Sequence, residues 1–160
     1  MSRPLAYGQA NDQCDTIEVW ADASQPWQHN GGKWVHLAKN ASRLATLASG
    51  GNIADLIGWA EVGLYSASST VGQDKISVNV HPAARYEMPI NATQTEQQLR
   101  QLQGKTCDIE TSSGVQYANH DASTDQTLLI VGYKYYGSGT GEQSLLVRRY
   151  GLTVSATEVA

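Results

Sequence analysis

The sequence predicts a mainly β fold: a small antiparallel β-barrel or sandwich with one short helix and an extended N-terminal arm. Short segments that alternate apolar and polar residues recur along the chain, and turn-forming residues separate them about every ten positions. Residues 127–135 (TLLIVGYKY) and 144–150 (SLLVRRY) flank a glycine-rich stretch, which is typical of a β-hairpin. Only one segment has the pattern of a helix, and short strands with a single helix favour a barrel or sandwich.

The length and composition fit one domain. The chain has 160 residues, and 16% of them are charged, below the roughly 25% of an average domain. Residues 1–14 are polar, contain Pro4 and Gly8 and show no periodicity, so they are predicted to form an extended arm. Residues 15–160 are predicted to form a single β-rich domain.

The strand predictions rest on period-two alternation. In residues 75–80 (KISVNV), Ile76, Val78 and Val80 are expected to face one core. Residues 85–89 form a short segment that ends at Pro89, and they are expected at a sheet edge. Residues 38–49 are predicted to be irregular or strand. The other predicted strands are residues 16–20, 33–37, one within 54–66, 105–110, 115–117, 127–135 and 144–150.

The helix is predicted from its ends. Thr95 followed by Gln98, or Thr93 followed by Glu96, fits a capping box at the start. Leu99 and the residue three positions later form an apolar stripe, and a glycine at position 104 is placed to end the helix.

Charge and hydropathy exclude two classes of partner. The formal net charge is −4 and no cluster of Lys and Arg is present, so no nucleic-acid partner is expected. No apolar run approaches the ~18 residues of a membrane span and no signal-peptide core is present, which predicts no membrane association and synthesis in a cytoplasm. Cys14 and Cys107 lack CxxC spacing and are expected to be buried, reduced thiols.

No motif for catalysis or cofactor binding is present. The glycines from Gly137 lead into a β pattern rather than a helix, so they predict a hairpin tip and not a phosphate cradle. The loop at 120–125 lacks the Gly and the acid of a calcium loop, and turn formation is the favoured interpretation. The four histidines are scattered and no GxSxG motif occurs. We therefore expect no catalytic residue, metal, cofactor or small-molecule substrate.

The aromatic residues divide between core and surface. Trp20, Trp34 and Trp59 lie in predicted strands and are expected to pack in the core. The tyrosines at 133, 135 and 136 occupy both faces of one strand, so at least one is expected to point outward. The candidate partner-binding residues are Leu5 and Tyr7 as anchors of the arm, Trp27 in a loop, and Tyr136 with Gly137 at the hairpin.

Several blocks of the sequence resemble one protein family. They lie between residues 50 and 150 and comprise residues 57–62 (IGWAEV), 68–70 (SST), 74–78 (DKISV), 86–89 (YEMP), 104–109 (GKTCDI), 129–132 (LIVG) and 146–148 (LVR). These blocks resemble the head-decoration, or capsid cement, proteins of tailed bacteriophages. The resemblance implies a β-barrel-like homotrimer that binds the major capsid protein on the outside of the mature head and stabilises the shell without catalysis.

The same resemblance implies a location on the virion surface after synthesis in the host cytoplasm. The arm is then expected to lie along the capsid or a neighbouring subunit. Two alternatives stay open at this point. A carbohydrate- or receptor-binding module of a virion structural protein would be indicated by an exposed Trp27, and a small hydrolase would be indicated by a Ser-His-Asp cluster.

Overall fold

The computed structural model describes residues 8–22, 33–37, 44–48, 56–60, 75–112, 115–122, 127–139 and 141–150. These ranges are mainly β, as predicted. In chain order, the elements within them are β1 (Gly8–Gln9), β2 (Thr16–Trp20), β3 (Lys33–Leu37), β4 (Ala45–Leu47), β5 (Leu56–Ala60), β6 (Lys75–Asn79), β7 (Tyr86–Pro89), α1 (Glu96–Leu102), β8 (Thr106–Ser112), β9 (Val115–Asn119), β10 (Leu128–Tyr135) and β11 (Gln143–Arg149).

The strands form two antiparallel sheets. The six-stranded sheet has the order β1-β7-β11-β10-β8-β9, and the five-stranded sheet has the order β2-β6-β5-β3-β4. Each sheet curls until strands from its opposite sides approach. In the five-stranded sheet, Ala21 just beyond β2 bridges Ala45 of β4, and in the six-stranded sheet, Ile90 just beyond β7 bridges Ala118 of β9. The fold is therefore a pair of half-barrels, in agreement with the predicted barrel-like architecture.

Period-two alternation correctly located most of the described strands. β2 and β3 have the predicted bounds, and β4 lies inside the segment predicted to be irregular or strand. Along β6, Ile76 and Val78 are buried in the same core, and Val80 packs against it. The hairpin of β10 and β11 is also confirmed, with Tyr135 opposite Gln143 at its closed end.

The N-terminal arm occupies the sheet edge that was predicted for β7. β1 pairs with β7, which thus lies between β1 and β11, and the edge prediction for residues 85–89 is wrong. Ala10 N donates to Arg85 O at 2.6 Å, and the Asn11 side chain donates to Ala83 O and accepts from Arg85 N. Backbone and side-chain hydrogen bonds, rather than apolar burial, hold residues 8–11 in place. For this reason the segment needs no alternation of apolar and polar residues.

Helix α1 begins after Thr95, one of the two predicted caps. Gln98 N donates to Thr95 Oγ1 at 3.2 Å, and Thr95 N donates to Gln98 Oε1 at 2.9 Å, which completes a capping box. Leu99 is buried in the core, while the other positions of the helix face outward or lie at its margin. Gly104 follows the helix with a φ of 85°, a conformation that favours glycine.

The two sheets share a core that contains three aromatic rings. Trp34 of β3 and Trp59 of β5 lie on the face of the five-stranded sheet that meets Tyr86 of β7. The ring centroids are 4.6 Å apart for the stacked Trp59–Tyr86 pair and 4.9 Å apart for the edge-to-face Trp34–Tyr86 pair. Trp34 Nε1 also lies 3.0 Å from the sulfur of Met88. A second, smaller core of Val35, Ala60 and their neighbours fills the curl of the five-stranded sheet.

One buried glutamine connects the two sheets through hydrogen bonds. Gln116 of β9 accepts from Trp34 N at 2.8 Å and donates to Trp34 O at 3.0 Å. The same amide nitrogen donates to Ala48 O at 2.8 Å. Since Gln116 is buried, it satisfies backbone groups of the five-stranded sheet that water does not reach.

A close approach of backbones fixes the meeting of β5 and β6. A Cβ atom added to Gly58 would lie 2.0 Å from Asn79 O, so only glycine fits at this point of β5. The Asn79 side chain in turn accepts from the backbone N of Asp15 and His81, and donates to Gln13 O. These bonds attach residues 13 and 15, just before β2, to the last residue of β6.

Replacement of Gln116 tests the connection between the sheets. Gln116→Leu removes three buried hydrogen bonds and leaves the Trp34 N–H and two carbonyls without that partner, and we expect a loss of about 3 kcal/mol or more in the free energy of unfolding. The matched control is Gln101→Leu on the exposed face of α1, which should change stability by about 0.5 kcal/mol or less. Urea unfolding followed by tryptophan fluorescence measures both. Equal stabilities of the two variants would contradict the assigned role of Gln116.

Candidate functional site

The closed end of the β10–β11 hairpin carries two of the predicted partner-binding residues. Tyr136 lies immediately beyond β10 with 58% of its surface exposed, and Gly137 follows it. Tyr133 and Tyr135 instead pack against the shared core. The expectation that at least one of the three tyrosines points outward is therefore confirmed, and Tyr136 is that residue.

The hairpin tip is held in one shape by backbone and side-chain hydrogen bonds. Tyr136 N donates to Glu142 O at 2.9 Å, and Gly139 N donates to the Glu142 carboxylate at 2.9 Å. A Cβ atom on Gly137 would lie 2.2 Å from Glu142 Oε2, so glycine leaves room for this carboxylate to fold over the tip. Tyr136 is consequently presented next to an ordered turn.

A second buried glutamine joins the tip to the segment before α1. Gln143 donates to Gln94 O at 2.7 Å and to Gly137 O at 3.1 Å, and it accepts from Gln94 N at 2.8 Å. Between the two segments lies a small cleft of about 50 Å³, which is lined by Pro89, Thr93, Tyr117, Gly139 and Gln143, among others. The hairpin tip and the residue 89–94 segment therefore form one continuous surface.

The start of β1 lies at the same end of the six-stranded sheet. Gly8 lies opposite Glu87, and β1 runs antiparallel to β7. Pro89 at the end of β7 lies opposite Ser144, near the start of β11 and the hairpin tip. The chain therefore enters β1 from the end of the sheet where Tyr136 lies. We call this end the hairpin end. Leu5 and Tyr7, like the loop residue Trp27, lie outside the described residues.

A second exposed surface lies on β2, and the sequence analysis missed it. Trp20 is 47% exposed and Ile17 is 41% exposed, so the prediction that Trp20 packs in the core is wrong. β2 is the outermost strand of its sheet in the pairing order. The sequence does indicate this exposure. Alternate residues of a strand lie on one face, so Trp20 shares a face with the polar residues Thr16 and Glu18.

The neighbourhood of Trp20 is charged as well as apolar. Lys75 lies opposite Trp20 in the β2–β6 pair, and its ammonium is 5.9 Å from the centroid of the indole ring. The same ammonium is 2.7 Å from the Glu18 carboxylate. Both members of this ion pair are about half exposed or more, so it contributes little to stability and mainly orients Lys75 over the ring.

The loop at His120 is organised by hydrogen bonds that belong to a turn. Asn91 Oδ1 accepts from His120 N and lies 2.8 Å from His120 Nδ1, while the Asn91 amide contacts the Asp121 carboxylate at 3.4 Å. Within the described ranges, no three His, Cys, Asp or Glu side chains are grouped to hold a metal ion. The helix in these ranges, with seven residues, is too short to cross a membrane.

The two cysteines occupy opposite environments. Both thiols are free, and Cys107 is buried in the shared core as expected, whereas Cys14 is exposed, contrary to expectation. Burial, with a smaller effect of the neighbouring Asp108 carboxylate, raises the pKa of Cys107 to about 12. The Cys107 thiol is therefore protonated at neutral pH and packs as an apolar group.

Comparisons with protein-family models, with curated proteins and with solved structures give no match for this chain.

Thiol reactivity tests the assignment of the cysteines. With a chromogenic disulfide reagent at pH 8, we expect one equivalent to react in the folded protein, at Cys14, and two after denaturation. Because the folded pKa of Cys107 is above its unfolded value, stability should also decrease as pH rises from about 9. Rapid reaction of two thiols in the folded protein would contradict the burial of Cys107, and Cys14→Ser should leave no fast-reacting thiol.

Proposed function

We propose that this chain is a non-catalytic capsid decoration protein, which binds the outer surface of a mature phage head through its hairpin end and stabilises the shell. One observation carries the proposal. The exposed Tyr136 on its ordered turn and the start of β1 lie at the same end of the six-stranded sheet. The resemblance of residues 50–150 to head-decoration proteins supports the same function.

The hairpin end suits protein binding on energetic grounds. An exposed tyrosine supplies a large contact area with few rotatable bonds, and such residues are enriched among those that dominate interface energies. The turn beside Tyr136 is already fixed by Glu142 and Gln143, so little conformational entropy is lost when a partner docks. The arm adds contacts that form only on the partner, with Leu5 and Tyr7 as its anchors.

Binding of this kind stabilises the partner by mass action. A protein that contacts several capsid subunits together binds the assembled, expanded shell and not the separated subunits, and therefore shifts the equilibrium toward that shell. The major capsid protein is the partner in this proposal, and the virion surface is the location. A homotrimer is the proposed state, with self-contacts supplied by the second exposed surface on β2.

The cleft at the hairpin end supports one second candidate, a carbohydrate- or receptor-binding module of a virion. It is lined by Tyr117 and by the polar residues Asn91 and Gln143, and an aromatic ring beside amide groups is the chemistry that binds sugars. The two candidates differ in the partner that occupies the same surface. A glycan array and a capsid-binding assay on the same protein distinguish them.

Analysis of purified virions tests the proposed function directly. Virions of the phage that encodes the chain should contain it in numbers comparable with the major capsid protein, as measured by quantitative mass spectrometry. Heads from a strain that lacks the chain should release DNA at a lower temperature, and purified protein should restore the higher temperature. Absence of the chain from purified virions would refute the proposal.

A pair of tyrosine variants tests the binding surface. Tyr136→Ala removes the exposed ring at the hairpin end, and we expect affinity for heads to fall about tenfold or more, which corresponds to ~1.4 kcal/mol or more. The matched control is Tyr150→Ala, since Tyr150 is 37% exposed just beyond the opposite end of β11 and should not affect binding. Both variants should keep the melting temperature of the unmodified protein. Equal affinities of the two variants would place the binding surface elsewhere.

A further inference from the structure

Two arginines face each other across β7 and β11, at the end of these strands that lies away from the hairpin end. Tyr86 lies opposite Val147, so the same register places Arg85 opposite Arg148 one residue further along. Residues that are directly opposite in an antiparallel pair carry their side chains on one face, with Cβ atoms about 5 Å apart. Because Tyr86 and Val147 are buried in the shared core, the two arginines lie on the outer face of the sheet.

Neither arginine has an acidic partner in the described part of the chain. The ion pairs and side-chain hydrogen bonds of these ranges involve neither guanidinium. Glu87, two residues from Arg85 on the same face of β7, instead accepts from Lys134 Nζ at 3.0 Å and from Ser144 Oγ at 2.6 Å. Arginine keeps its charge at physiological pH, and like charges directly opposite each other in a sheet are destabilising. The described residues therefore leave a double positive charge uncompensated.

The two guanidinium groups border a preformed groove. Arg85 and Arg148 line a surface groove of about 220 Å³ together with Pro82 and Ala83. Ala83 N donates to His81 Nδ1 at 3.0 Å, which holds the turn that forms this wall. The Asn11 side chain donates to Ala83 O at 2.9 Å and accepts from Arg85 N at 3.0 Å. The wall is thus fixed at both its ends, and little ordering is required when a ligand binds.

We propose that Arg85 and Arg148 form a binding site for a phosphate dianion, either free phosphate or the end of a phosphate monoester. Such a group carries roughly two negative charges at neutral pH and neutralises both guanidinium groups, whereas a carboxylate would leave one positive charge uncompensated. Guanidinium groups also match phosphate oxygens with paired, charge-assisted hydrogen bonds. The apolar atoms of Pro82 and Ala83 provide a surface for a small ester group beside the phosphate.

This site goes beyond the proposed capsid contact and does not rest on it. Pro89 of β7 lies opposite Ser144, near the hairpin tip, and the arginines lie at the other end of the same two strands. A phosphate that bridges β7 and β11 binds the folded chain and not the unfolded one, so it stabilises the fold. Binding can therefore be measured on the purified protein without capsids.

Thermal unfolding at about pH 8 tests the site. At constant ionic strength, about 10 mM phosphate in place of chloride should raise the melting temperature by about 3 °C or more, as expected for a dissociation constant of about 1 mM. Arg148→Gln should lose most of this rise. In chloride at low ionic strength, the same variant should be at least as stable as the unmodified protein, because the repulsion between the two arginines is gone.

The matched control is Arg100→Gln on the exposed surface of α1, which removes the same charge away from the groove. This variant should keep the full rise in melting temperature with phosphate. An equal rise in Arg148→Gln and Arg100→Gln would reveal only the general stabilisation of proteins by phosphate and would overturn the proposal.

Calorimetric titration identifies the anion. Inorganic phosphate should bind about tenfold or more tightly than acetate, and Arg85→Gln should lower the affinity for phosphate about tenfold or more. Tighter binding of phenyl phosphate than of inorganic phosphate would assign the site to a monoester, and equal or weaker binding would assign it to free phosphate. Equal affinities for phosphate and acetate, or binding of neither phosphate compound at about 10 mM, would overturn the proposal.

Discussion

The structure depends on the contact between its two curled sheets, and that contact centres on Trp34. The ring of Trp34 packs edge-to-face against the stacked pair of Trp59 and Tyr86, while its backbone N–H and C=O both bond to the side chain of Gln116. The first interaction removes large apolar surfaces from water. The second pairs the buried Trp34 N–H and adds a donor to the Trp34 carbonyl, which also accepts from Ala48 N. The five-stranded sheet also curls around a smaller core of its own, whereas the buried side chains of the six-stranded sheet belong to the shared core.

Hydrogen bonds from a buried glutamine to a distant backbone segment also position the candidate binding surface. Gln143, like Gln116, is a buried glutamine whose amide bonds to the backbone of a segment distant in sequence. It fixes the hairpin tip against the residue 89–94 segment, so Tyr136 is presented from a rigid support. Polar residues thus hold the irregular segments, while apolar side chains hold the strands. This division explains how a chain with few charges and many amide side chains builds an ordered surface.

Sequence reasoning succeeded where one local pattern decides the structure. Alternation gave the bounds of β2 and β3, the Thr95 capping box gave the start of α1, and the glycine-rich turn gave the β10–β11 hairpin. It also identified Tyr136 as a residue at an exposed tip. It was wrong about Trp20 and about Cys14, since size and apolarity were taken as sufficient for burial, whereas the position of β2 at the side of its sheet leaves Trp20 exposed.

The sequence by itself determined most of the strands and the apolar face of β6, because both follow from the spacing of neighbouring residues along the chain. Only the tertiary structure decided which strands are neighbours and which edges stay open. The arm residues of β1 cover β7, and Gln116 reaches a strand 82 positions earlier. Such pairings depend on the packing of distant segments, which leaves no periodic signal in either segment alone. For this reason the sequence predicted the hairpin tip, while the surface on β2 appeared only in the folded chain.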